Sequence, residues 1–109
     1  MLLRFSKMHG IGNDFIVLDC ISQRYIPQTQ DMARLADRHF GIGCDQLIVL
    51  SKNDITGQIC YQFFNPDATQ AEQCGNGQRC IAWYLHRQNP DKFSFIVSGL
   101  AGDISSNIL

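Results

Sequence analysis

The stretch that decides the fold is residues 65–80, NPDATQAEQCGNGQRC, which is followed directly by the apolar run IAWYL at residues 81–85. A polar loop leads into a cysteine and a glycine-rich turn, and the apolar run then predicts a helix over about residues 77–87. Cys74 therefore lies at or just before a helix N-terminus, where unpaired N–H groups and the positive end of the helix dipole favour a thiolate. The same N–H groups can hold a carboxylate. Because the helix is apolar nearly all round, we expect the rest of the chain to enclose it.

Strand-like segments surround this helix along the chain. A second, amphipathic helix follows Thr29 or Gln30 and stops at Gly41, with His39 on its inward face and Arg38 among the charged residues that face water. The pattern indicates an α+β fold, in which a mostly antiparallel, curled sheet wraps one buried helix and the second helix packs outside. The predicted strands cover residues 2–8, 15–19, 47–50, 59–64, 93–98 and 104–109.

Composition narrows the class of protein. The 109 residues suffice for one domain, and 45% apolar with 17% charged residues is typical of a globular chain. A formal net charge of −1 favours neither nucleic acid nor an anionic membrane as a partner. No apolar stretch is long enough to span a membrane, and the N-terminus lacks the apolar core of a signal peptide, so we expect a cytoplasmic location.

Five cysteines are present, and Cys74 needs separate treatment because of where it lies. Their odd number argues against a disulfide framework, and their spacing argues against a structural zinc site, so no metal is expected. Cys80 lies inside the apolar helix and is predicted to be part of the core. Cys74 lies between Gln73 and Gly75, which fits a buried apolar cysteine badly and a reactive one well.

Polar turns that contain glycine occur at residues 9–14, 41–46 and 65–77. Such turns can simply close hairpins, but they also let backbone N–H groups approach a ligand closely. His9 is the one histidine in such a turn, whereas His86 is expected at a solvated helix end. A cysteine–histidine hydrolase built from Cys74 and His9 therefore remains an alternative. A dinucleotide site is poorly supported, because the first turn lacks the last glycine of that fingerprint.

Three ordered motifs carry a resemblance to a known family. Residues 64–67, FNPD, with residues 73–80, QCGNGQRC, closely resemble the N-terminal cysteine motif of diaminopimelate epimerases. Residues 5–15, FSKMHGIGNDF, resemble the opening signature of that family, and residues 35–46, LADRHFGIGCDQ, resemble the next one. The motifs extend over essentially the whole chain.

The resemblance implies an enzyme without a cofactor that inverts an α-carbon, converting L,L-diaminopimelate to the meso form for lysine and peptidoglycan synthesis. One thiolate removes the α-proton and a thiol on the opposite face returns one, so neither metal nor pyridoxal phosphate is needed. By matching position, Cys74 is one catalytic acid/base. The same carry-over assigns contacts with the amino-acid substrate to Asn13, Gln46, Asn65, Gly75 and Asn76.

The chain also departs from the family. Family members have two similar halves with one catalytic cysteine each, and this chain resembles only the first half. Cys80 cannot supply the second thiol, because it lies six residues along the same helix, about 9 Å away. We therefore expect a weak or inactive isolated chain, completed by a C-terminal half or by a second copy in a homodimer. A non-catalytic amino-acid-binding or scaffold module is the alternative. Residues 68–70, ATQ, replace the usual Gly-Ser-Glu, and Gln78 stands where alanine is common.

Overall fold

The computed structural model describes residues 3–10, 12–23, 27–71, 75–99 and 102–108. Within these ranges the chain forms seven strands and two helices. In chain order the elements are β1 (Ser6–Gly10), β2 (Asn13–Asp19), α1 (Thr29–Ala36), β3 (Gln46–Lys52), β4 (Ile59–Phe64), β5 (Gln70–Ala71), α2 (Gly75–Gln88), β6 (Ser94–Gly99) and β7 (Gly102–Asn107).

One sheet contains all of these strands, in the order β1-β2-β3-β4-β6-β7, with β5 paired to β4. Four strand pairs are antiparallel, namely β1 with β2, β3 with β4, β4 with β5, and β6 with β7. The other two pairs, β2 with β3 and β4 with β6, are parallel. Each parallel pair is joined through a helix, since parallel neighbours need a long crossover connection. The α+β class with a mostly antiparallel sheet is confirmed.

The central strands are buried on both faces of the sheet. Phe15 and Val17 of β2 belong to the apolar cluster that includes α2, whereas Ile16 and Leu18 belong to the cluster that includes α1. This alternation follows from the two-residue period of a strand, and double burial explains why β2 and β3 are continuous apolar runs.

Helix α2 is the buried helix, and it is enclosed on one broad face. Seven of its fourteen residues are buried, among them Cys80, as predicted. The expectation that it is enclosed nearly all round overestimated its burial, because Trp83 is 51% exposed. Gly75, Arg79, Trp83 and Arg87 recur every four residues, so the helical period places them on one exposed stripe.

A buried polar contact holds α2 to β2. The hydroxyl of Tyr84 donates a hydrogen bond of 2.6 Å to Asp19 Oδ2, and both residues are buried. Asp19 Oδ1 accepts the backbone N–H groups of Ile21 and Ser22. Burial by itself raises the pKa of Asp19, but these hydrogen bonds outweigh it and leave the pKa below its usual value.

Helix α1 ends earlier than its pattern suggested. It stops at Ala36, and His39 is exposed, so the placement of His39 on an inward helix face was wrong. The reason is local, since Asp37 Oδ1 accepts the N–H groups of His39 and Phe40 and bends the chain out of the helix. Strand β1 also begins later than expected, at Ser6, and the two-residue strand β5 was not foreseen.

Candidate active site at one edge of the sheet

Three strand ends meet at one edge of the sheet. Phe15 pairs with Gln46 in parallel register, and Leu47 pairs with Phe64 in antiparallel register. The starts of β2 and β3 therefore lie beside the end of β4. This edge brings together three of the residues that the sequence assigned to substrate binding, namely Asn13, Gln46 and Asn65.

The N-terminus of α2 reaches the same edge. Asn76 Nδ2 donates a hydrogen bond of 3.1 Å to Asn13 Oδ1, so a residue of the helix's first turn touches the start of β2. Gly10 allows this approach, because a Cβ there would lie 3.1 Å from Asn76 Cβ. Gly77 lets the next part of the turn pack on β4, since its Cβ would lie 2.4 Å from Phe63 Cε1. Gly10 of β1 and Gly77 of α2 thus let the helix end pack closely on β1 and β4.

Helix α2 begins at Gly75, the residue that follows Cys74 in the sequence. Cys74 itself lies outside the described residues, so its role stays a prediction. The first turn of α2 holds no acidic side chain that would neutralise the positive end of the helix dipole. Gly75 is exposed and Asn76 is half-buried, and a helix start without an acidic side chain is suited to a small anion.

Asn65 forms the start of a tight turn beyond β4. Its backbone N–H donates to Thr69 O at 2.8 Å, and its Nδ2 donates to Thr69 Oγ1 at 3.2 Å. Asp67 Oδ1 accepts both the N–H and the hydroxyl of Thr69. Ala68 occupies this turn at φ +67°, the left-handed region that favours glycine. This explains why the resemblance placed a glycine at that position.

A cluster of four charges, which we call the charged clamp, joins the two other glycine-containing turns. It consists of Lys7, Asp14, Arg38 and Asp45. Asp14 binds Lys7 Nζ at 2.9 Å and Arg38 Nη2 at 2.8 Å, and the same Nη2 lies 3.0 Å from Asp45 Oδ1. The Arg38 hydrogen bond, ahead of those from Lys7 and the Asp45 N–H, holds the pKa of Asp14 well below its usual range.

Sequence reasoning missed the charged clamp. It placed Arg38 on the solvent face of a helix and treated the two aspartates as turn residues. A signal was nevertheless available, since Asp14 directly follows Asn13 and Asp45 directly precedes Gln46. An acidic residue beside each proposed substrate residue implies a cation between them when the two turns meet.

The other cysteines in the described part of the chain suit the core rather than acid–base chemistry. Cys44 is 2% exposed, and burial raises the pKa of its thiol to about 11. Burial also raises the pKa of Cys20, and Cys80 is buried behind the first turns of α2. Among the described residues, no group of three or more histidine, cysteine or acidic side chains is arranged to hold a metal ion.

The histidines give the hydrolase alternative no support. His9 is an exposed residue of β1 opposite Asp14, and its side chain makes no hydrogen bond to any described residue. His86 Nδ1 lies 2.8 Å from Lys92 O, and its ring contacts those of Trp83 and Phe93. His86 is therefore half-buried at the end of α2 rather than fully solvated.

A cavity of about 230 Å³ opens between α2 and β7. Gln78 lines it and is only 8% exposed, and within the described ranges neither Oε1 nor Nε2 of its amide has a hydrogen-bond partner. An unpaired buried amide is destabilising. Gln78 stands at a position where the family that the sequence resembles commonly has alanine.

The fold is shared with solved structures whose sequences are very different. A PhzF-family phenazine biosynthesis protein from Enterococcus faecalis superposes with a TM-score of 0.67 at 13% identity, covering 89% of this chain and 34% of that one. A putative phenazine biosynthesis PhzC/PhzF protein from Clostridium difficile gives 0.66 at 17% identity, covering 87% and 34%. These similarities define the class of fold, a curled sheet around a central helix.

Sequence comparison then identifies the family. The model of the family described as diaminopimelate epimerase matches residues 5–109. Proteins named diaminopimelate epimerase from Acinetobacter baylyi and Acinetobacter baumannii are 48% and 46% identical over 99% of this chain. The chain belongs to the diaminopimelate epimerase family. It spans 39% of the length of these two relatives.

No helix in the described part of the chain is long and apolar enough to cross a membrane.

Proposed function

We propose that residues 1–109 form the N-terminal domain of a diaminopimelate epimerase and supply one of the two thiols that invert the substrate's α-carbon. The observation that carries the proposal is the meeting of three strand ends and the start of α2 at one edge of the sheet. In this arrangement Asn76 contacts Asn13 at 3.1 Å, and Cys74 immediately precedes the helix in the sequence. The proteins named diaminopimelate epimerase that match the chain support the same reading.

The proposed chemistry is a proton transfer at carbon. The thiolate of Cys74 takes the α-proton, the C–H electron pair moves into the adjacent carboxylate system, and a thiol on the opposite face gives a proton back. A free thiol has a pKa of about 8.5, and a helix N-terminus lowers it, which increases the thiolate fraction at neutral pH. The N–H groups of Gly75 and Asn76 are suited to stabilise the charge that develops on the carboxylate.

The amide side chains at the sheet edge suit an amino acid as the substrate. Asn13, Gln46 and Asn65 each offer a carbonyl that accepts hydrogen bonds and an NH₂ that donates them, so they can bind both ammonium and carboxylate groups. Diaminopimelate carries two of each. Neutral amides do not themselves compete with the thiolate for the α-proton.

The second thiol has to come from outside this set of residues. Cys80 is 4% exposed and lies on the same helix, about 9 Å along its axis, so it cannot reach the opposite face of a bound substrate. We propose that a C-terminal half of the longer protein supplies that thiol. A second copy of this chain is the other source, and it predicts that the inversion rate per chain rises with chain concentration.

The test is proton exchange with the 109-residue chain in D₂O. A single thiol can remove and return a proton on one face, so we expect slow α-deuterium incorporation into diaminopimelate without inversion, measured by mass spectrometry and chiral chromatography. Cys74→Ser should abolish the exchange. Cys60→Ser is the matched control, because Cys60 is a half-buried strand residue whose thiol contacts Gln58 O.

Each outcome decides a separate part of the proposal. Exchange that persists in Cys74→Ser removes Cys74 from the mechanism. Binding of diaminopimelate without any exchange by the unmodified chain identifies an amino-acid-binding module instead of a catalytic half. Fast inversion by a chain that sediments as a monomer contradicts the proposal that the chain carries only half of the active site, since one thiol cannot reach both faces of the α-carbon.

A further inference from the structure

Arg38 connects two parts of the chain that the proposed substrate site needs at a defined spacing. It follows α1, and its guanidinium forks onto Asp14 through Nη2 at 2.8 Å and Nη1 at 3.2 Å. The same Nη2 lies 3.0 Å from Asp45 Oδ1. A planar fork that contacts two carboxylates holds their separation and their relative orientation, which a single point charge cannot do.

The two carboxylates are also locked to each other's backbone. The N–H of Asp14 donates to Asp45 Oδ2 at 3.0 Å, and the N–H of Asp45 donates to Asp14 Oδ1 at 2.8 Å. The N–H of Asp45 is in addition 3.1 Å from the main-chain oxygen of Asp14. Asn13 directly precedes Asp14 and Gln46 directly follows Asp45, so each of these two residues is bonded to one half of the lock. The clamp therefore fixes the separation of the backbone positions that carry the Asn13 and Gln46 side chains.

Charge balance makes Arg38 necessary for this arrangement. The carboxylates of Asp14 and Asp45 are held close together by these backbone hydrogen bonds, and two like charges at close range repel each other unless a cation lies between them. Lys7 contacts Asp14, whose side chain is 15% exposed, and its Nζ donates to Gly43 O, but within the described residues it forms no ion pair with Asp45. Arg38 is the cation that bridges both, and these contacts raise the pKa of its guanidinium above the usual value.

The fold holds this region together by other means as well. The N–H groups of Ile42 and Gly43 both donate to Leu35 O, which attaches the loop to the end of α1. Gly43, at φ +83°, leaves room for the stem of Arg38, since a Cβ there would lie 2.7 Å from Arg38 Cγ. The Arg38 side chain is 54% exposed, so its removal leaves no buried cavity.

We propose that Arg38 is a positioning residue of the substrate site, which sets the spacing between the Asn13 and Gln46 side chains through Asp14 and Asp45. This inference rests on the proposed function, in that it assigns a ligand to the positioned amides. Loss of Arg38 should therefore reduce the affinity for diaminopimelate strongly and the stability of the fold only slightly. A misplacement of binding groups by about 1 Å reduces binding or rate by roughly a hundredfold, so we expect a loss of ten- to a hundredfold.

The experiment compares Arg38→Ala with the unmodified chain and with Arg34→Ala. Arg34 is an exposed arginine one turn earlier on α1, and its side chain has no ion pair within the described residues. Three quantities are measured: the diaminopimelate dissociation constant, the side-chain amide NMR signals of Asn13 and Gln46, and the thermal midpoint. Each is repeated with added ethylguanidinium, which can enter the exposed gap that Arg38→Ala leaves, and with ethylammonium as the control cation.

The expected result is specific to a guanidinium. In Arg38→Ala both amide signals shift and affinity falls at least tenfold, ethylguanidinium restores both, and ethylammonium restores them much less. Arg38→Lys should recover only part of the affinity, because an ammonium contacts the two carboxylates less well than a fork. Arg34→Ala should leave all three quantities near those of the unmodified chain.

Other outcomes overturn the inference or separate it from the proposed function. Unchanged amide signals in Arg38→Ala overturn it, as does a loss of affinity that ethylguanidinium does not reverse and that follows the thermal midpoint. If the unmodified chain binds no diaminopimelate while Arg38→Ala shifts both signals and ethylguanidinium restores them, the positioning role stands and the proposed substrate is wrong.

Discussion

Two glycines in the first turn of α2 should respond in opposite ways to the same substitution. A Cβ at Gly77 would lie 2.4 Å from Phe63 Cε1 and 2.8 Å from Cζ, and Phe63 is only 2% exposed. A Cβ at Gly75 would meet no described atom within 4 Å. We predict that Gly77→Ala destabilises the protein and that Gly75→Ala stabilises it.

The magnitudes follow from geometry and helix propensity. Ordinary Cβ contacts begin near 3.4 Å, so relieving the 2.4 Å contact requires the helix end or the ring to move by about 1 Å. Overpacking of this kind destabilises a protein by about 1–3 kcal/mol, and replacing glycine by alanine in a helix stabilises it by about 0.5–1 kcal/mol. Gly77→Ala should therefore lower the free energy of unfolding by about 1–2 kcal/mol, whereas Gly75→Ala should raise it by about 0.5 kcal/mol.

Urea unfolding of the two variants and of the unmodified chain measures both changes in the free energy of unfolding. The gap of about 2 kcal/mol between the two variants corresponds to roughly 10 °C in thermal midpoint for a domain of this size. Phe63→Leu removes ring atoms at the contact, so in that background Gly77→Ala should lose at least about 1 kcal/mol less. The steric reasoning is refuted if the two alanine variants are equally stable or if Phe63→Leu gives no relief.

Three further substitutions test buried or strained positions by denaturant titration. Ala68→Gly should stabilise the chain by about 0.5–1 kcal/mol, because Ala68 occupies φ +67°, and a loss of stability would contradict the strain. Gln78→Met should stabilise it by about 1–3 kcal/mol by removing an unpaired buried amide, and a destabilised variant would mean that the amide has a partner. Tyr84→Phe should cost about 1.5–3 kcal/mol at pH 7 by removing the hydrogen bond to Asp19. Because that bond helps to lower the pKa of Asp19, its contribution is lost as pH falls below about 4, so a Tyr84→Phe penalty that is independent of pH would contradict the assignment.

The pattern of the sequence predicted the elements better than their ends. Strand β4 was placed correctly at Ile59–Phe64, and α2 was found within two residues at its start and one at its end. The end of α1 was missed because a side chain, Asp37, competes for the backbone N–H groups that would continue the helix. Such local competition depends on where the following loop is held, and hydrophobic periodicity does not report it.

The sequence by itself determined the local features of this protein. It specified apolar runs of strand period, a glycine-led helix after Cys74, and three ordered motifs whose family assignment the comparisons confirm. These features are encoded by neighbouring residues, because periodicity, turn chemistry and helix starts depend on interactions within a few positions of the chain.

Only the tertiary structure decided which distant residues meet. Asn13 and Asn76 are 63 positions apart, Asp19 and Tyr84 are 65 apart, and the charged clamp joins a strand to a loop 24 positions away. Whether Arg38 is a solvated surface charge or the bridge between two aspartates depends on the parallel pairing of β2 with β3, which brings the two glycine-containing turns together. An ion pair depends on separation in space, so no reading of residue order alone distinguishes the two.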